Sequence, residues 1–318
     1  MSVTIKELAR QLNVSPATIS LALNGDSRVA EETSAKIKAL ADELDYVPNN
    51  FGRGLQSRKS RLAGYLAGSA TGSFFDLIMQ GIGETAAAAN YGLLTGITYA
   101  SGKVDAQLKI FIERNVDGII ISSNYSTHAE QVEKVERRKV PMVFCSTRDS
   151  GRHPFVITDN FKGGQLAAGH LISLGHRHLA CCSGNKDRLA GNLDVIRRHN
   201  LPEPALFMEG KELAVILKAN PSITGITACS DAQAIRVKHV IEGLGLRIPD
   251  DISITGFDDM WFSNIQEFQF TTVAQPKEGI GQAAMQMLLE LIDGKKVMSK
   301  FMEPELVVRG STAPPATK

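Results

Sequence analysis

Cysteine is scarce in this chain, which has only four in 318 residues, Cys145, Cys181, Cys182 and Cys229. None of them shows the C-x-x-C spacing of a zinc site or a redox motif. Four thiols are also too few for the dense disulfide framework of small secreted domains. We therefore interpret these cysteines as reduced, buried thiols, and we expect no metal site.

Long apolar runs are missing too. No uncharged apolar stretch reaches the roughly 18 residues that a membrane-spanning helix needs. The first residues, MSVTIKELARQLNV, carry charges throughout and lack the apolar core of a secretory signal. These absences predict a cytoplasmic protein without membrane contact.

Catalytic signatures are absent as well. The sequence has no G-x-S-x-G, no P-loop, no H-E-x-x-H and no dinucleotide-binding glycine fingerprint after a strand. We therefore expect a protein that is not an enzyme and that needs no cofactor. The net charge of +1 neither requires nor excludes nucleic acid as a partner.

The residues that are present begin with three short helical patterns. Thr4 can cap a first helix, and Ser15-Pro16 can start a second over Pro16–Leu23, which Gly25 would end. A third pattern covers 31–44. This spacing also fits any small helical bundle. The small and polar outer side of the second helix favours a helix-turn-helix whose second helix enters the major groove.

From Leu62 onward, strand-like apolar runs alternate with helical patterns. The predicted strands are 62–67, 93–99, 118–121, 142–145, 179–183, 224–229 and 252–256, and the predicted helices are 75–90, 107–115, 163–174, 232–244 and 278–293. Such alternation indicates parallel sheets with helices on both faces. Two halves fit the length, roughly 62–160 and 161–318 with crossovers, and ligands of such folds bind at the carboxyl ends of the strands.

The segments TIKELARQLNVSPATISLALNG and VAEETSAKIKALADELDYVPNN resemble the DNA-binding head of the LacI–GalR family of bacterial transcription regulators. RLAGN, GLRIPDDISITGFDD, TTVAQP and PELVVRGST resemble the family's core, which is similar to periplasmic sugar-binding proteins. The resemblance implies an all-α helix-turn-helix head (1–48), a hinge (49–61) and an α/β core (62–318) of two doubly wound parallel-sheet subdomains. It also implies a homodimer that binds a palindromic operator in double-stranded DNA and a small effector.

The resemblance makes Pro16–Leu23 the recognition helix, with base-edge contacts from Pro16, Ala17 and Leu21. It assigns phosphate contacts to residues with hydroxyl or amide side chains, Thr4, Ser15, Thr18, Ser20, Asn24, Tyr46 and Asn49. Many family members carry Arg at the position of Leu21. A bidentate Arg–guanine pair discriminates by about 1–3 kcal/mol, whereas Leu makes only apolar contact. The operator should therefore differ from the usual half-site at that base pair.

Between Asn49 and Arg61 the chain carries several basic residues, among them Arg53, and no acidic residue. Such a segment is either a solvated linker or a phosphate-binding hinge. PNNFGRGLQS resembles the family's hinge helix, in which a leucine, here Leu55, wedges into the minor groove. Each of the two glycines in it weakens a helix by about 0.5–1 kcal/mol, so we expect the hinge helix to form only on the operator.

The resemblance implies an effector site at Phe74, Phe75, Ser146, Arg188, Ser230, Asp231 and Asp258, and we add Trp261 because it lies just after GFDD. Arg188 would donate to ligand hydroxyls or carboxylates, and Asp258 would accept from hydroxyls. Ser146 replaces an acid of many relatives, and the segment 208–223 is shorter than usual and lacks an aromatic wall. Trp261 either stacks on a sugar ring or packs at a subunit or domain contact.

The leading interpretation is a dimeric repressor whose operator affinity is controlled by a sugar-like effector. One alternative keeps the DNA binding but has a trimmed, non-functional pocket, which gives a constitutive regulator. A solute-binding module is a second alternative, opposed by the intact head and the missing signal. A sugar-modifying enzyme is a third, opposed by the missing catalytic motifs.

Overall fold

Two units make up the computed structural model, Met1–Ser60 and Arg61–Lys318. Residues 3–23, 25–46, 59–68, 73–97, 104–122, 129–148 and 151–316 are described. Most of the predicted hinge, 49–58, lies outside the described residues.

The first unit contains three helices, α1 (Ile5–Gln11), α2 (Pro16–Leu23) and α3 (Glu31–Glu43). These helices are those that the sequence predicts. Each contributes a fully buried aliphatic side chain to one small core, Leu8, Ile19 and Ile37. A glycine in the left-handed conformation follows α2, as expected for a helix end (Gly25, φ +70°).

The first sheet of the second unit has the strand order β11-β5-β4-β3-β1-β2, and its paired strands are parallel. Its strands are β1 (Leu62–Ala67), β2 (Gly92–Ile97), β3 (Gly118–Ser122), β4 (Met142–Cys145), β5 (Phe155–Thr158) and β11 (Lys300–Met302). The helices between them are α4 (Ser73–Ala88), α5 (Val104–Glu113) and α6 (Ala129–Glu136).

The second sheet has the order β12-β10-β9-β8-β6-β7 and is parallel except for β12, which runs antiparallel to β10. Its strands are β6 (Leu179–Cys182), β7 (Ala205–Phe207), β8 (Gly225–Thr227), β9 (Ser253–Asp258), β10 (Thr271–Ala274) and β12 (Glu305–Val307). Its helices are α7 (Asn160–Ser173), α8 (Lys186–Arg198), α9 (Gly210–Ala219) and α10 (Asp231–Gly243). The predicted α/β core of two parallel-sheet subdomains is confirmed.

The chain passes between the two sheets three times. It leaves the first sheet after Thr158, returns after Ala274, and leaves again after Met302. The returning segment carries the last helix, α11 (Lys277–Ile292), whose buried residues pack in the core of the first sheet. Residues 277–302 therefore pack with the first sheet. The division predicted from the sequence, 62–160 and 161–318 with crossovers, places them in the second half.

Each sheet has a pair of helices that cross in direct backbone contact. A Cβ on Gly81 of α4 would overlap the carbonyl oxygen of Glu278 in α11, and a Cβ on Gly281 would overlap that of Ile78. Gly164 of α7 has the same relation to the carbonyl of Arg188 in α8. These helices approach so closely because the contact positions lack side chains. Among the helices of the described ranges, none has the length and apolarity to cross a bilayer.

Gly81→Ala should lower the free energy of unfolding by about 1–3 kcal/mol, because its methyl group forces α4 and α11 apart. Gly83→Ala is the matched control in the same helix, because a Cβ there meets no atom within 4 Å. That change should raise stability by about 0.4–1 kcal/mol through the unfolded chain. Urea denaturation of both variants measures the difference, and a Gly81→Ala protein as stable as Gly83→Ala would contradict the close crossing.

Candidate DNA-binding head and effector site

The predicted recognition helix, α2, begins with a side-chain cap. The Ser15 hydroxyl oxygen accepts from the backbone N–H of Thr18 at 3.1 Å, and the two hydroxyl oxygens lie 2.9 Å apart. Pro16 and Ala17 are exposed, whereas Ile19 faces the head's core. The start of α2 therefore presents a hydroxyl and small apolar groups to the outside, with no acidic or basic side chain at either end of the helix.

The other predicted DNA contacts lie around α2 within the first unit. Thr4 is exposed and accepts from the backbone N–H of Glu7 at 3.3 Å, so it caps α1 as expected. Ser20 and Leu21 are half-buried on α2, and Tyr46 packs partly against the head's core after α3. The remaining predicted contacts, Asn24, Asn49, Arg53 and Leu55, lie outside the described residues.

In the second unit, five polar residues form a closed ring of hydrogen bonds between the two sheets. Thr158, at the end of β5, donates to Gln275 Oε1 at 2.5 Å, and Gln275 Nε2 donates to Asp258 Oδ1 at 2.6 Å. Arg188 approaches the same Asp258 oxygen at 3.5 Å and donates through Nε to Asn160 Oδ1 at 2.8 Å. Asn160 Nδ2 closes the ring on the Thr158 carbonyl at 3.1 Å. The ring joins two of the three crossovers.

Arg188 is held on several sides at the start of α8. Its guanidinium lies 3.5 Å from the centre of the Phe257 ring, and Nη1 donates to the Cys229 carbonyl oxygen. Burial lowers its pKa, and the charge of Asp258 opposes that shift. Nη2 has no hydrogen-bond partner among the residues that the structure describes, so it can donate to a ligand.

Asp258 ends β9 in an unusual backbone conformation. It has φ +106° and Asp259 has φ +48°, a region that costs residues other than glycine about 1–3 kcal/mol each. Lys277 Nζ donates to both carbonyl oxygens, and Arg309 Nη2 donates to the Asp259 carboxylate at 2.7 Å. Burial raises the pKa of Asp258 to about 6, partly opposed by the Arg188 charge, while the amide of Gln275 also favours the charged form.

The structure corrects the expectation for Asp231. We expected it to face a ligand beside Ser230, but its side chain is fully buried. Its oxygens accept from Thr272 Oγ1 at 2.6 Å and from the backbone N–H of Met260 at 2.7 Å. Asp231 therefore stabilises the turn after Asp258 by binding the backbone N–H of Met260. Ser230 is half-buried and caps α10 by accepting from Gln233 N at 3.1 Å.

The other predicted effector residues are not part of this ring. Phe74 and Phe75 pack edge to face, 5.1 Å apart, on the core of the first sheet. Ser146 follows β4 with φ +58° and donates its N–H to the Val156 carbonyl at 2.8 Å. Trp261 is 68% exposed. The structure thus brings Arg188 and Asp258 together, whereas the Trp261 side chain faces solvent for the most part.

The sequence alone missed Thr158, Asn160, Gln275 and Lys277. Each lies at a strand end or at a helix start beside a crossover. That position is the signal in the sequence that could have indicated them. It also missed an ion pair across the crevice, in which Arg148, after β4, contacts Asp187 of α8 at 2.9 Å. Within the described ranges, no group of three or more metal-ligating side chains could hold a metal ion.

The fold and site define a class in which a helical head precedes a core like a periplasmic binding protein, and comparison with known proteins agrees. A model of bacterial regulatory proteins of the lacI family matches residues 4–49, and a periplasmic binding protein-like domain matches 168–312. The transcriptional repressor PurR of Aliivibrio salmonicida is 30% identical over 97% of this chain and 98% of its own. The regulator DegA of Bacillus subtilis is 28% identical over 99% of both chains.

Solved structures share the fold. A lac repressor dimer bound to operator and the anti-inducer ONPF has a TM-score of 0.85 at 24% identity, covering 98% of this chain and 100% of that one. A regulator from Enterococcus faecium with bound ribose has a TM-score of 0.69 at 27% identity, covering 80% and 99%. The chain belongs to the lacI family of bacterial regulatory proteins. It is a DNA-binding transcription regulator and not an enzyme, as the sequence predicted.

The raised pKa of Asp258 predicts a specific pH dependence of stability. The folded protein holds this proton up to about pH 6, whereas the ordinary pKa of an aspartate is 3.8. Wild type should therefore gain stability relative to Asp258→Asn as the pH falls from 7 towards 4, by up to about 3 kcal/mol. Urea denaturation of both proteins across this range measures the difference, and parallel stability curves would show that Asp258 titrates normally.

Proposed function

We propose that this chain is a cytoplasmic homodimeric repressor that binds a palindromic operator and responds to a small polar, sugar-like effector between its two sheets. The observation that carries the proposal is the hydrogen-bonded ring of Thr158, Asn160, Arg188, Asp258 and Gln275. A ligand that contacts Arg188 or Asp258 changes their hydrogen bonds with Asn160 and Gln275, which lie at two of the crossovers between the sheets. Differential binding of the ligand to two orientations of the sheets then shifts operator affinity.

The DNA-binding side of the proposal rests on the head at 1–48 and the hinge at 49–61. Pro16, Ala17 and Leu21 read base edges, and Leu55 wedges into the minor groove. Hydroxyl, amide and basic groups contact phosphates, namely Thr4, Ser15, Thr18, Ser20, Asn24, Tyr46, Asn49 and Arg53. The start of α2 is exposed and uncharged. Small apolar side chains there can contact base edges in the major groove, which supports the assignment of phosphate contacts to other residues.

The effector side rests on the core at 62–318. Arg188 offers its free Nη2, and Phe74, Phe75, Ser146, Ser230, Asp258 and Trp261 complete the proposed site. We exclude Asp231 from direct contact because it is fully buried. Similar proteins are described with bound ribose and with cellobiose, which supports a polyhydroxylated ligand.

The homodimer is supported by apolar side chains on the second sheet's edge. β7 is the last strand of that sheet, and Leu206, Met208 and Val215 near it are exposed. An uncovered strand edge with apolar neighbours is rarely left open in a monomer. A second copy of this chain fits such a surface, and a lac repressor of the same fold is a dimer on its operator.

A constitutive regulator is the second candidate, and one observation favours it. Arg188 and Asp258 already satisfy most of their hydrogen bonds with each other and with Asn160, Cys229 and Gln275. A site that is complete without ligand does not require one. The two candidates differ in whether any small molecule stabilises the core.

Selection of bound DNA from a random pool tests the DNA side. The full-length chain should enrich a palindrome, and Leu21→Arg should gain a guanine preference of about 1–3 kcal/mol at one position of each half-site. Leu21→Met is the matched control and should keep the wild-type preference. Enrichment of no palindrome would contradict operator binding, and an unchanged base preference in Leu21→Arg would contradict the placement of Leu21.

Thermal unfolding with sugars, sugar acids, sugar phosphates and purines tests the effector side. One class should raise Tm, and Arg188→Lys should weaken that ligand's binding about ten- to a hundredfold, because lysine lacks the planar fork. Arg197→Lys is the control, because Arg197 is exposed on the same helix and pairs with Glu203. A Tm that no ligand class changes would support the constitutive regulator instead.

A further inference from the structure

Two cysteines meet at the carboxyl ends of neighbouring strands. Cys182 ends β6, and Cys229 comes shortly after β8, which pairs with β6 in the register Cys181↔Thr227. Neighbouring strands lie about 4.7–4.9 Å apart, and a disulfide needs Cα atoms within about 7 Å. The two thiols also lie close enough for each to shift the pKa of the other.

Cys182 has the surroundings of a thiolate. Its Sγ accepts from the backbone N–H of Gly184 at 3.4 Å, and the side chains of Cys229 and Gln233 lie beside it. Interaction with Cys229 lowers the pKa of Cys182, while interaction with Cys182 and burial raise the pKa of Cys229. The pair therefore loses its first proton from Cys182 more readily than from Cys229.

The pair lies just below the surface although Cys182 is only 3% exposed. Gly184 is exposed, and a Cβ placed on it would lie 3.0 Å from Cys229 Sγ and 3.4 Å from Cys182 Sγ. Because glycine has no side chain, only the backbone of this segment covers the two sulfur atoms on that side. The other two cysteines differ, since Cys145 and Cys181 are fully buried and burial raises the pKa of both thiols.

We propose that Cys182 and Cys229 are a modification site at which a hydroperoxide forms a reversible disulfide. The Cys182 thiolate attacks one peroxide oxygen, the O–O bond breaks, and the sulfur becomes a sulfenic acid while hydroxide leaves and takes up a proton as water. Cys229 sulfur then attacks Cys182 sulfur, the S–O bond breaks, and the hydroxyl leaves with the Cys229 proton as a second water. Two thiols and one hydrogen peroxide give one disulfide and two waters.

The disulfide has a consequence for Arg188, which rests on the function proposed above. Arg188 Nη1 donates to the Cys229 carbonyl, so moving Cys229 towards Cys182 changes the support of the guanidinium. Oxidation would thus alter effector binding. Formation of the disulfide itself depends on neither effector nor DNA, so its test can fail or succeed independently of the proposed function.

Peptide mapping after oxidation tests the proposal. The full-length reduced protein is treated with hydrogen peroxide, its remaining thiols are alkylated after unfolding, and it is digested without reductant. Mass spectrometry should find Cys182 linked to Cys229, with Cys145 and Cys181 alkylated, and dithiothreitol should reverse the link. Unlinked Cys182 and Cys229, or a disulfide that involves Cys181, would overturn the proposal.

Two variants separate the two steps. In Cys229→Ser a hydroxyl replaces the thiol and cannot form the disulfide, so dimedone should label Cys182 as a sulfenic acid. Cys181→Ser is the matched control and should form the Cys182–Cys229 link like wild type. Equal dimedone labelling of wild type and Cys229→Ser would overturn the resolving role of Cys229. Alkylation of Cys182 across pH gives an independent readout, because it should reach half its maximal rate below the usual thiol pKa.

Discussion

The buried ion pair between Arg188 and Asp258 is the interaction on which the arrangement of the core depends. Its side chains are 14% and 17% exposed, so both charges are largely removed from water. Such pairs seldom add net stability, because desolvation offsets their attraction, but removing one partner is strongly destabilising. The ring through Asn160, Thr158 and Gln275 supplies the further hydrogen bonds that such a pair requires. Thr158, Asn160 and Gln275 lie where the chain passes between the two sheets. The ion pair therefore fixes the position of these crossover segments, and the segments in turn hold the two charged side chains in place.

The backbone around Asp258 shows what holding this carboxylate costs. Two successive residues have positive φ, and the surrounding structure holds them there from three directions. Lys277 binds their carbonyls, Arg309 binds the Asp259 carboxylate, and buried Asp231 holds the Met260 N–H. Strained residues persist only where their surroundings over-determine them, and they often lie at functional sites. Here the strain directs the Asp258 carboxylate towards Arg188 and Gln275.

The sequence predicts the head better than the core, for a physical reason. A helix such as α2 is specified by neighbours in sequence, Ser15 at its start and Gly25 at its end. Strands β7, β11 and β12 have only three residues each and exist through long-range pairing, so no local period indicates them. The same limit applies to the site. Motifs indicate Arg188 and Asp258, whereas Gln275 and Asn160 become neighbours only through the crossovers. Asp231 is predicted to contact the effector, and only the structure shows that its side chain is buried.

An uncharged recognition helix changes where operator affinity must originate. Most nonspecific affinity for DNA comes from cations that displace counterions from phosphates, and α2 has no charge in its first or last turn. On the function proposed above, phosphate neutralisation falls to basic residues elsewhere, including Arg53 of the predicted hinge. If Leu21 contacts a base edge as proposed, specificity depends on apolar contact at Leu21 and on the placement of two heads on two half-sites. A regulator built this way is sensitive to its dimer geometry, because no single bidentate contact at Leu21 offsets a misplaced head.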